Sequence, residues 1–350
     1  MSNKSSGVTS SDVARVAGVS QSAVSRAFTP GASISDHTRA RVLAAASKLG
    51  YRPNAIARTL ITRQSQIVAV VASYLENPFY LSVIEQISHL LRKEGYHLLL
   101  LVSDTGEADE FLMQLMQYQA DGVILVSTTL SSTIAQTCEQ MGVPVVLFNR
   151  ISKHGNVNSV ASDNYAGGRL AARTLLDAGH RDVAFIAGLE NTSTSRDREL
   201  GFKDELSAAG ITRYQRAVGH YSFHDARAAV IELFERRSGG WKRPEAVFVA
   251  NDHMAIAVLD TLRHELRLRV PHDVSVIGFD NAAPAGWLAY QLTTIEQPAR
   301  SMVENTVDLL IRQMRGSRAK AQAVIAPVRL IVRETVRGLS PTTEEAATCA

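Results

Sequence analysis

The pattern of hydrophobic and polar positions over residues 9–28 predicts two short helices joined by a tight turn, a helix-turn-helix. Thr9 and Asp12 have the spacing of a capping box, which starts the first helix at about Ser10. Gly18 ends this helix, because glycine reaches the left-handed backbone conformation of a C-terminal cap without a steric penalty. Three residues at helical spacing form its apolar face: Val13, Val16 and Ala17.

The second helix has a polar outward face. Ser20 can cap it, and Val24 and Ala27 turn inward. The outward residues are Gln21, Ser22, Ser25 and Arg26. Hydrogen-bonding side chains on a short exposed helix can read base edges in the DNA major groove. An ordinary helix hairpin at the protein surface is the alternative interpretation.

Positive charge is concentrated at the start of the chain, which favours the DNA interpretation. Residues 1–65 contain nine lysines and arginines against two acidic residues, whereas the whole chain has a formal net charge of only +3. The remaining residues are therefore net acidic. A small basic head on a mildly acidic body indicates that phosphate contacts come from one end of the chain.

A third helix and a short fourth helix follow. Ser35 is a good N-cap and Gly50 a good stop for the third helix, whose inward residues are Val42, Ala46 and Leu49. Beyond Pro53, Asn54 can cap one more helix of about two turns. A helix this short is marginal by itself. It should form only when it docks against a partner, and DNA is the obvious candidate.

The pattern DVARVAGVSQSAVSRAF at residues 12–28, followed by GYRPNAIARTL at residues 50–60, resembles the DNA-binding head of the LacI/GalR family of bacterial transcription regulators. The resemblance implies that Gln21 and Ser22 face bases and that Arg26 anchors on a guanine or a phosphate. It also implies that the short hinge helix pairs with its twin from a second subunit and wedges a leucine into the minor groove.

By position, Ala57 would let the two hinge helices approach closely and Leu60 would be the wedge, although a buried linker leucine is the alternative. The expected DNA-binding residues are Thr9, Ser20, Gln21, Ser22, Ser25, Arg26, Asn54, Ala57 and Leu60.

Apolar runs alternate with helical patterns after residue 65. Continuous Val/Ile/Leu strands between helices favour an α/β body with parallel sheets covered on both faces, and ten or so strands favour two lobes. The predicted helices include 79–93, 168–178 and 254–263. The predicted strands are 67–73, 97–103, 122–127, 144–148, 183–187, 246–250 and 274–279.

The family resemblance implies the same organisation, a doubly wound, two-lobed body of the type I periplasmic-binding-protein fold behind the helical head. The chain would cross between the lobes near Asp163, near 293–298 and near Ala326. The expected domains are a helix-turn-helix domain at 8–52 with its motif at 10–29, a hinge helix and linker at 53–64, an effector-binding and dimerisation domain at 65–338, and a disordered tail at 339–350. Lobe 1 would span about 66–163 and 294–325, and lobe 2 about 164–292 and 326–338.

Polar residues just past the strand ends are candidates for an effector site, because inter-lobe clefts and the carboxyl ends of parallel strands bind ligands. By resemblance, Arg198 and Asp280 match ligand-contacting positions of the family, with Arg196 as the alternative arginine. Carboxylate, guanidinium and aromatic groups suit a polyol, such as a sugar or sugar acid. A helix cap is the alternative role for the aspartates, and plain core for Phe79. The expected effector-binding residues are Phe79, Asp163, Arg198, Tyr221, Asp252 and Asp280.

The sequence contains none of the common catalytic motifs, so we expect no enzyme activity, cofactor or metal. Phosphate-loop, dinucleotide-binding and nucleophile-elbow patterns are missing from the sequence. His264 and Glu265 begin like a zinc-protease motif, but Leu268 stands where the second histidine should be. Cys138 and Cys349 alone cannot form a zinc site.

Neither a signal peptide nor a long apolar run is visible, which predicts a cytoplasmic protein that joins the nucleoid when it binds DNA. The sequence from 339 to 350 shows no leucine heptad, so we expect a homodimer that does not associate further through this tail. The expected function is a repressor of a pseudo-palindromic operator, controlled by a sugar-like effector. The alternative class is a small-molecule binding protein of the periplasmic type, or an enzyme on that fold.

Overall fold

The computed structural model describes residues 8–28, 31–52, 64–103, 111–127, 137–138, 140–151, 157–235, 240, 242–317 and 319–339. Within it the chain divides into two compact units, a head at Met1–Ser65 and a body at Gln66–Ala350. The predicted hinge residues Asn54, Ala57 and Leu60 lie outside the described residues, as does the predicted tail beyond Leu339.

The head contains three helices, α1 (Ser10–Ala17), α2 (Gln21–Ala27) and α3 (Asp36–Leu49). Each begins at the capping residue that the sequence predicts, namely Thr9, Ser20 and Ser35. Their common core is Val13, Ala14, Ala17, Val24, Ala27, Val42, Ala45 and Ala46.

The predicted inward face of α1 is wrong at one position. Val16 is 47% exposed, and Ala14 is buried in its place. In so short a helix the buried stripe is set by where α2 and α3 cross it. Ala14 lies with Val13 and Ala17 in the cluster that α1 forms with α2 and α3, whereas Val16 lies outside it.

The body contains two six-stranded sheets. The strands are β1 (Ile67–Ala72), β2 (His97–Val102), β3 (Gly122–Val126), β4 (Val145–Phe148), β5 (Asn158–Ser162), β6 (Val183–Ala187), β7 (Gln215–Val218), β8 (Ala246–Val249), β9 (Ser275–Asp280), β10 (Thr294–Glu296), β11 (Ala323–Ala326) and β12 (Arg329–Ile331). The helices are α4 (Pro78–Lys93), α5 (Leu112–Gln117), α6 (Asn164–Asp177), α7 (Ser193–Ala208), α8 (Phe223–Glu235), α9 (Asp252–Asp260) and α10 (Ala299–Met314), with a π-helical turn at Thr261–Glu265 and a 3₁₀ turn at Ala283–Gly286.

The strand order defines two lobes. Lobe 1 has the order β11-β5-β4-β3-β1-β2 and lobe 2 the order β12-β10-β9-β8-β6-β7. Every pairing is parallel except the antiparallel pair of β10 with β12. The predicted fold class is confirmed, because these are doubly wound parallel sheets with helices packed on their faces.

The chain passes between the lobes three times, after Ser162, after Glu296 and after Ala326. At each crossing a strand ends and the chain continues into the other lobe through a short segment. Parallel sheets place the carboxyl ends of their strands along one edge, and the body uses these two edges to build one site.

Candidate DNA-reading helix and ligand cleft

The exposed face of α2 is polar. Gln21, Ser22, Ser25 and Arg26 are exposed, whereas Val24 and Ala27 are 1% and 3% exposed and pack in the head core. The predicted division of this helix into an inward and an outward face is therefore what the structure shows. An exposed short helix with amide, hydroxyl and guanidinium groups has the dimensions and chemistry that the major groove admits.

Two of the predicted DNA-binding residues are also helix caps. The Thr9 hydroxyl accepts from the Asp12 N–H at 3.3 Å, and the Thr9 backbone N–H donates to the Asp12 carboxylate at 3.1 Å, which completes the capping box. The Thr9 hydroxyl also donates to that carboxylate at 2.7 Å. These hydrogen bonds hold the pKa of Asp12 at about 2. Ser20 Oγ accepts from the Ala23 N–H at 3.2 Å at the start of α2. Both residues therefore set the positions of the two helices.

Gln21 links α1 and α2, since its side-chain amide donates to Ser10 Oγ at 2.8 Å. Arg26 lies along its own helix, with its Nε 3.4 Å from the Ser22 carbonyl oxygen. These are exposed hydrogen bonds that can be exchanged for contacts with another molecule. Asn54, Ala57 and Leu60 lie outside the described residues, so the structure adds nothing on the predicted hinge.

A small cavity, with about 10 Å³ of free space, lies in the body where the two lobes face each other. Residues at or just past strand ends contribute to its wall from both sheets: Tyr74 follows β1, Ser127 follows β3, Asn251 follows β8 and Asp280 ends β9. The full lining is Tyr74, Asn77, Tyr80, Ser127, Thr194, Arg198, Tyr221, Asn251 and Asp280. Hydroxyl, amide, carboxylate and guanidinium groups therefore converge with three tyrosine rings.

Asp280 lies at the centre of this polar network. Its carboxylate accepts from the side-chain amide of Asn77 at 2.9 Å and from that of Gln297 at 2.6 Å. Asn77 belongs to lobe 1, so this hydrogen bond joins the lobes across the cavity. The backbone of Asp280 has a φ of 132°, a conformation that a non-glycine residue holds only when its surroundings impose it.

Arg198 lies opposite and is held from several sides. Its Nη1 is 3.8 Å from Asp280 Oδ1 and also donates to the Ala250 carbonyl oxygen. Its guanidinium stacks 3.6 Å from the centre of the Phe279 ring. Burial raises the pKa of Asp280, and the positive charge of Arg198 opposes that rise.

Besides Asp280, the structure brings two other predicted effector residues, Tyr221 and Arg198, to the cavity wall. Tyr221 Oη lies 3.2 Å from Thr194 Oγ1, and its ring centre lies 6.1 Å from that of Tyr74. Arg196, the alternative to Arg198, is exposed and is not part of the lining.

Three predicted effector residues do not line this cavity. Phe79 is 4% exposed and packs edge-on against Tyr80 in the lobe 1 core, so its neighbour reaches the cavity instead. Asp163 accepts from the Ala166 N–H at 2.9 Å and caps α6. Phe79 is therefore a core residue and Asp163 a helix cap, the alternative roles considered for them from the sequence.

Asp252, the third, is fully buried behind the cavity. Its carboxylate accepts from Thr294 Oγ1 at 2.6 Å and from the Ala282 N–H at 2.9 Å. Burial raises its pKa to about 7, and the negative charge of Asp280 adds to the rise. The carboxylate joins β10 and the segment after β9 to the start of α9, which makes it a structural neighbour of the cavity wall.

Tyr74, Ser127 and Thr194 are cavity residues that the sequence argument did not identify. Tyr74 and Ser127 follow the ends of β1 and β3, so the strand-end rule could have found them. Thr194 is the second residue of α7, and it lines the cavity because the loop after β6 brings the start of that helix to the cleft.

The described helices do not include one that is both long and apolar enough to cross a membrane. Among the described residues there is no cluster of three or more His, Cys, Asp or Glu side chains suited to hold a metal ion.

Two family models match the chain. One, described as bacterial regulatory proteins of the lacI family, matches residues 9–54, and the other, a periplasmic binding protein-like domain, matches residues 172–336. The first match covers the helices of the head. The second covers most of lobe 2 and the last two passages of the chain between the lobes.

The chain is also similar over nearly its whole length to named relatives. The HTH-type transcriptional regulator CelR of Thermobifida fusca is 33% identical over 92% of this chain and 96% of its own. The HTH-type transcriptional repressor PurR of Pectobacterium carotovorum is 31% identical over 93% of this chain and 96% of its own.

A solved structure of a lac repressor dimer bound to operator and the anti-inducer ONPF is 28% identical, with a TM-score of 0.82 over 94% of this chain and 99% of that one. A CelR–cellobiose complex is 30% identical, with a TM-score of 0.69 over 94% of this chain and 99% of that one. With a helix-turn-helix head, a two-lobed body and full-length similarity to such regulators, this chain belongs to the LacI family of bacterial regulatory proteins.

Proposed function

We propose that this protein is a sequence-specific transcriptional repressor whose affinity for its operator is controlled by a sugar-like effector bound between the lobes. The observation that carries the proposal is the polar exposed face of α2, on a head with nine basic and two acidic residues in 1–65. The net positive charge supplies phosphate attraction, and α2 supplies groups that distinguish base pairs. The lac repressor structure named above is bound to operator, which supports the same role here.

The chemistry of the cavity supports a polyol effector. Asp280 can accept from ligand hydroxyls, Arg198 can donate to them, and the rings of Tyr74 and Tyr221 can cover apolar C–H surface. The cavity has about 10 Å³ of free space, room for about one water molecule, so its walls must move apart to admit a polyol. The CelR structure holds cellobiose, which supports a carbohydrate-like ligand in this architecture.

A homodimer would supply the two heads that a two-fold operator requires. An exposed apolar pair supports such a pairing: Trp287 is 58% exposed and Leu288 is 95% exposed, at the end of the 3₁₀ turn in the body. Neighbouring exposed apolar side chains form a patch of the kind that marks contact surfaces between proteins. In this proposal, Leu60 of each hinge is the minor-groove wedge, and effector-driven lobe movement changes the spacing of the two hinges.

Selection of binding sites from a random DNA library tests the proposal. The full chain should enrich a two-fold symmetric sequence, and fluorescence anisotropy should show that it binds this sequence about 1,000-fold or more tightly than a scrambled one. Enrichment of no sequence, or equal affinity for the selected and scrambled DNA, would refute sequence-specific binding. The alternative, a ligand-binding protein or enzyme of periplasmic type, predicts that result.

A further inference from the structure

A largely buried histidine lies where the two lobes meet. His253 is the second residue of α9 in lobe 2, and its side chain is 15% exposed. Its Nε2 lies 3.7 Å from Glu76 Oε2, in the lobe 1 segment between β1 and α4. This distance is too long for a hydrogen bond, and the buried Nε2 has no hydrogen-bond partner among the described residues. The ring therefore approaches lobe 1 without being fastened to it.

Residues 74–77 of lobe 1 make other contacts across the cleft. Asn77 donates to the Asp280 carboxylate of lobe 2 at 2.9 Å. The ring centre of Tyr74 lies 6.1 Å from that of Tyr221, which also belongs to lobe 2. The same short segment carries the carboxylate that approaches the histidine. A movement that separates the lobes here therefore breaks all three contacts together.

The charged groups around the ring are few. On the lobe 2 side the ring centre lies 6.0 Å from that of Phe223, the first residue of α8. The titratable groups beside Phe223 pair with one another, because His220 and His224 lie 3.0 Å and 3.1 Å from the Asp225 carboxylate. On α9 itself, the Asp252 carboxylate is bound by β10 and by the segment after β9. Among the described residues, the lobe 1 carboxylate is thus the charge at ion-pair distance from the ring.

The closed cleft favours the neutral form of this ring. Burial lowers the pKa of His253, and the negative charge of Glu76 opposes that fall. Burial prevails because the Glu76 side chain is 80% exposed, so water screens its attraction. When the lobes separate, the ring regains water and its pKa returns toward the ordinary value of about 6.5. The open cleft therefore binds the proton more tightly than the closed cleft does.

The closed cleft also has too little space for a polyol. Its cavity has about 10 Å³ of free space, room for about one water molecule. A ligand reaches Asp280 and Arg198 only when the two lobes have moved apart. Whatever shifts the balance between the closed and open cleft therefore controls access to the cavity.

We infer that His253 is a proton-operated gate of the cleft: the two lobes close on its neutral ring, and protonation of the ring opens them. A proton that prefers the open state must shift the population toward that state, by the same rule that applies to any ligand. Access to the cavity then increases as the pH falls through the ordinary range of histidine. The inference rests on the proposed function only where it concerns the effector, because the opening itself needs neither effector nor DNA.

Trapping of a cysteine inside the cleft measures the opening without any ligand. Thr194→Cys places a thiol in the cavity wall at a position that is 2% exposed, where 4,4′-dithiodipyridine reaches it only while the lobes are apart. Ser207→Cys, at an exposed position of α7, gives the rate of an accessible thiol at each pH. The ratio of the two rates reports the open fraction. Both variants carry Cys349→Ser, and the reaction of the buried Cys138 is measured in the parent and subtracted.

The open fraction should rise by about threefold or more between pH 7.5 and pH 5.5, and about tenfold is the ceiling for one histidine of ordinary pKa. His253→Gln keeps a polar side chain and should remove that rise. Glu76→Gln should steepen it, because the carboxylate opposes the effect of burial. His224→Gln is the matched control, since it removes an exposed histidine next to Phe223 and should leave the rise unchanged. Asp252 is present in every variant, so its own titration does not explain a difference between them.

An open fraction that is independent of pH would overturn the inference, as would an equal rise in the wild type and in His253→Gln. A fall at acid pH that both His253→Gln and Glu76→Gln remove would overturn it too, because an ion pair would then hold the lobes closed. Circular dichroism at both pH values checks that each variant is folded. If His253→Gln does not fold, Glu76→Gln still decides, since a rise equal to or smaller than that of the wild type refutes the gate.

Binding of a sugar should show the same dependence on pH. A thermal-shift screen of the full chain with D-glucose, D-ribose and cellobiose identifies the probe, because a ligand that binds only the folded state raises the melting temperature. The probe with the largest shift should bind about threefold or more tightly at pH 5.5 than at pH 7.5, and His253→Gln should lose this gain. Equal affinity at both pH values would refute control of the effector by the gate. If none of the sugars binds, the proposed effector is wrong, and the trapping experiment still decides whether His253 is a gate.

Discussion

Helices α6 and α7 cross at two glycines, and replacing either one should disturb the cavity that α7 serves. A Cβ built on Gly168 would lie 2.0 Å from the backbone oxygen of Arg198, and one built on Gly201 would lie 2.0 Å from the backbone oxygen of Tyr165. Both contacts are with backbone, which cannot rotate away as a side chain can. The close crossing holds Arg198 in the cavity wall.

The size of the effect follows from these distances. Ordinary van der Waals contact begins at 3.4 Å, so the two helices must separate by about 1.4 Å to accept Gly168→Ala. Overpacking of this kind costs about 3 kcal/mol, the upper part of the usual range. For a unit of this size that corresponds to a fall of about 6–12 °C in the melting temperature. Displacement of α7 also moves Arg198 and Thr194, so ligand affinity should fall as well.

Thermal melting by circular dichroism checks this prediction, with Gly286→Ala as the control. The nearest atom to a Cβ on Gly286 is the Nη2 of Arg333 at 3.5 Å, the far end of a side chain, so this variant should melt within about 2 °C of the wild type. Gly168→Ala and Gly201→Ala should lower the free energy of unfolding to a similar degree. The double variant should lose less stability than the two single variants added together, because both substitutions force the same two helices apart. A wild-type melting temperature for Gly168→Ala would refute the close-crossing argument.

Three further predictions concern the head, the buried aspartate and the dimer. Arg26→Ala should cost about 1–3 kcal/mol on the selected DNA and much less on scrambled DNA, measured by anisotropy; equal losses would make Arg26 a phosphate contact. The raised pKa of Asp252 contributes stability to the folded state that is present below about pH 4 and is lost as the pH rises through about 7. The melting temperature of Asp252→Asn, which does not titrate, should therefore rise relative to that of the wild type between about pH 4 and pH 7. A constant difference in melting temperature across that pH range would contradict the assignment. Light scattering should give about twice the 38.0 kDa chain mass, and Leu288→Ser should shift the protein toward the monomer; an unchanged dimer would place the interface elsewhere.

The head helices were predictable because their ends are encoded locally. Thr9, Ser20 and Ser35 accept backbone hydrogen bonds at the first turn of each helix, and Gly18 and Gly50 end two of them with φ near +65°. The exposure of Val16 was not predictable in the same way. It depends on where two other helices cross, which is a tertiary property.

In the body, strands with a long apolar run were predictable, including the edge strand β2, and strands that are short or polar were not. β6, at Val183–Ala187, is a continuous apolar run and lies in the interior of its sheet, where the sequence pattern placed it. β7 (Gln215–Val218), at the sheet edge, and β5 (Asn158–Ser162), with three polar residues, lack such a run. They are strands because their neighbours supply the hydrogen-bond partners.

Helix α7 shows the same limit for helices. Only two large apolar residues, Phe202 and Leu206, lie on its buried side, so no continuous apolar stripe reveals it. The other buried residues are Thr194, Ser195, Arg198, Gly201 and Glu205. The close glycine crossing with α6 adds to the packing of Phe202 and Leu206. For the cavity, Arg198, Tyr221 and Asp280 could be identified from the sequence, whereas Phe79 and Tyr80 could not be distinguished without knowing which side of α4 faces the lobe 1 core.

The most direct test of a ligand-controlled repressor is the affinity of the full chain for its selected DNA, measured by anisotropy with and without the sugar that gives the largest thermal shift. We expect the DNA affinity to change by about fivefold or more, in either direction, because two coupled sites must alter each other's affinity. Asp280→Ala should abolish that change while the DNA affinity in the absence of the sugar remains that of the wild type. An unchanged DNA affinity at a sugar concentration that saturates the body would refute ligand control of DNA binding.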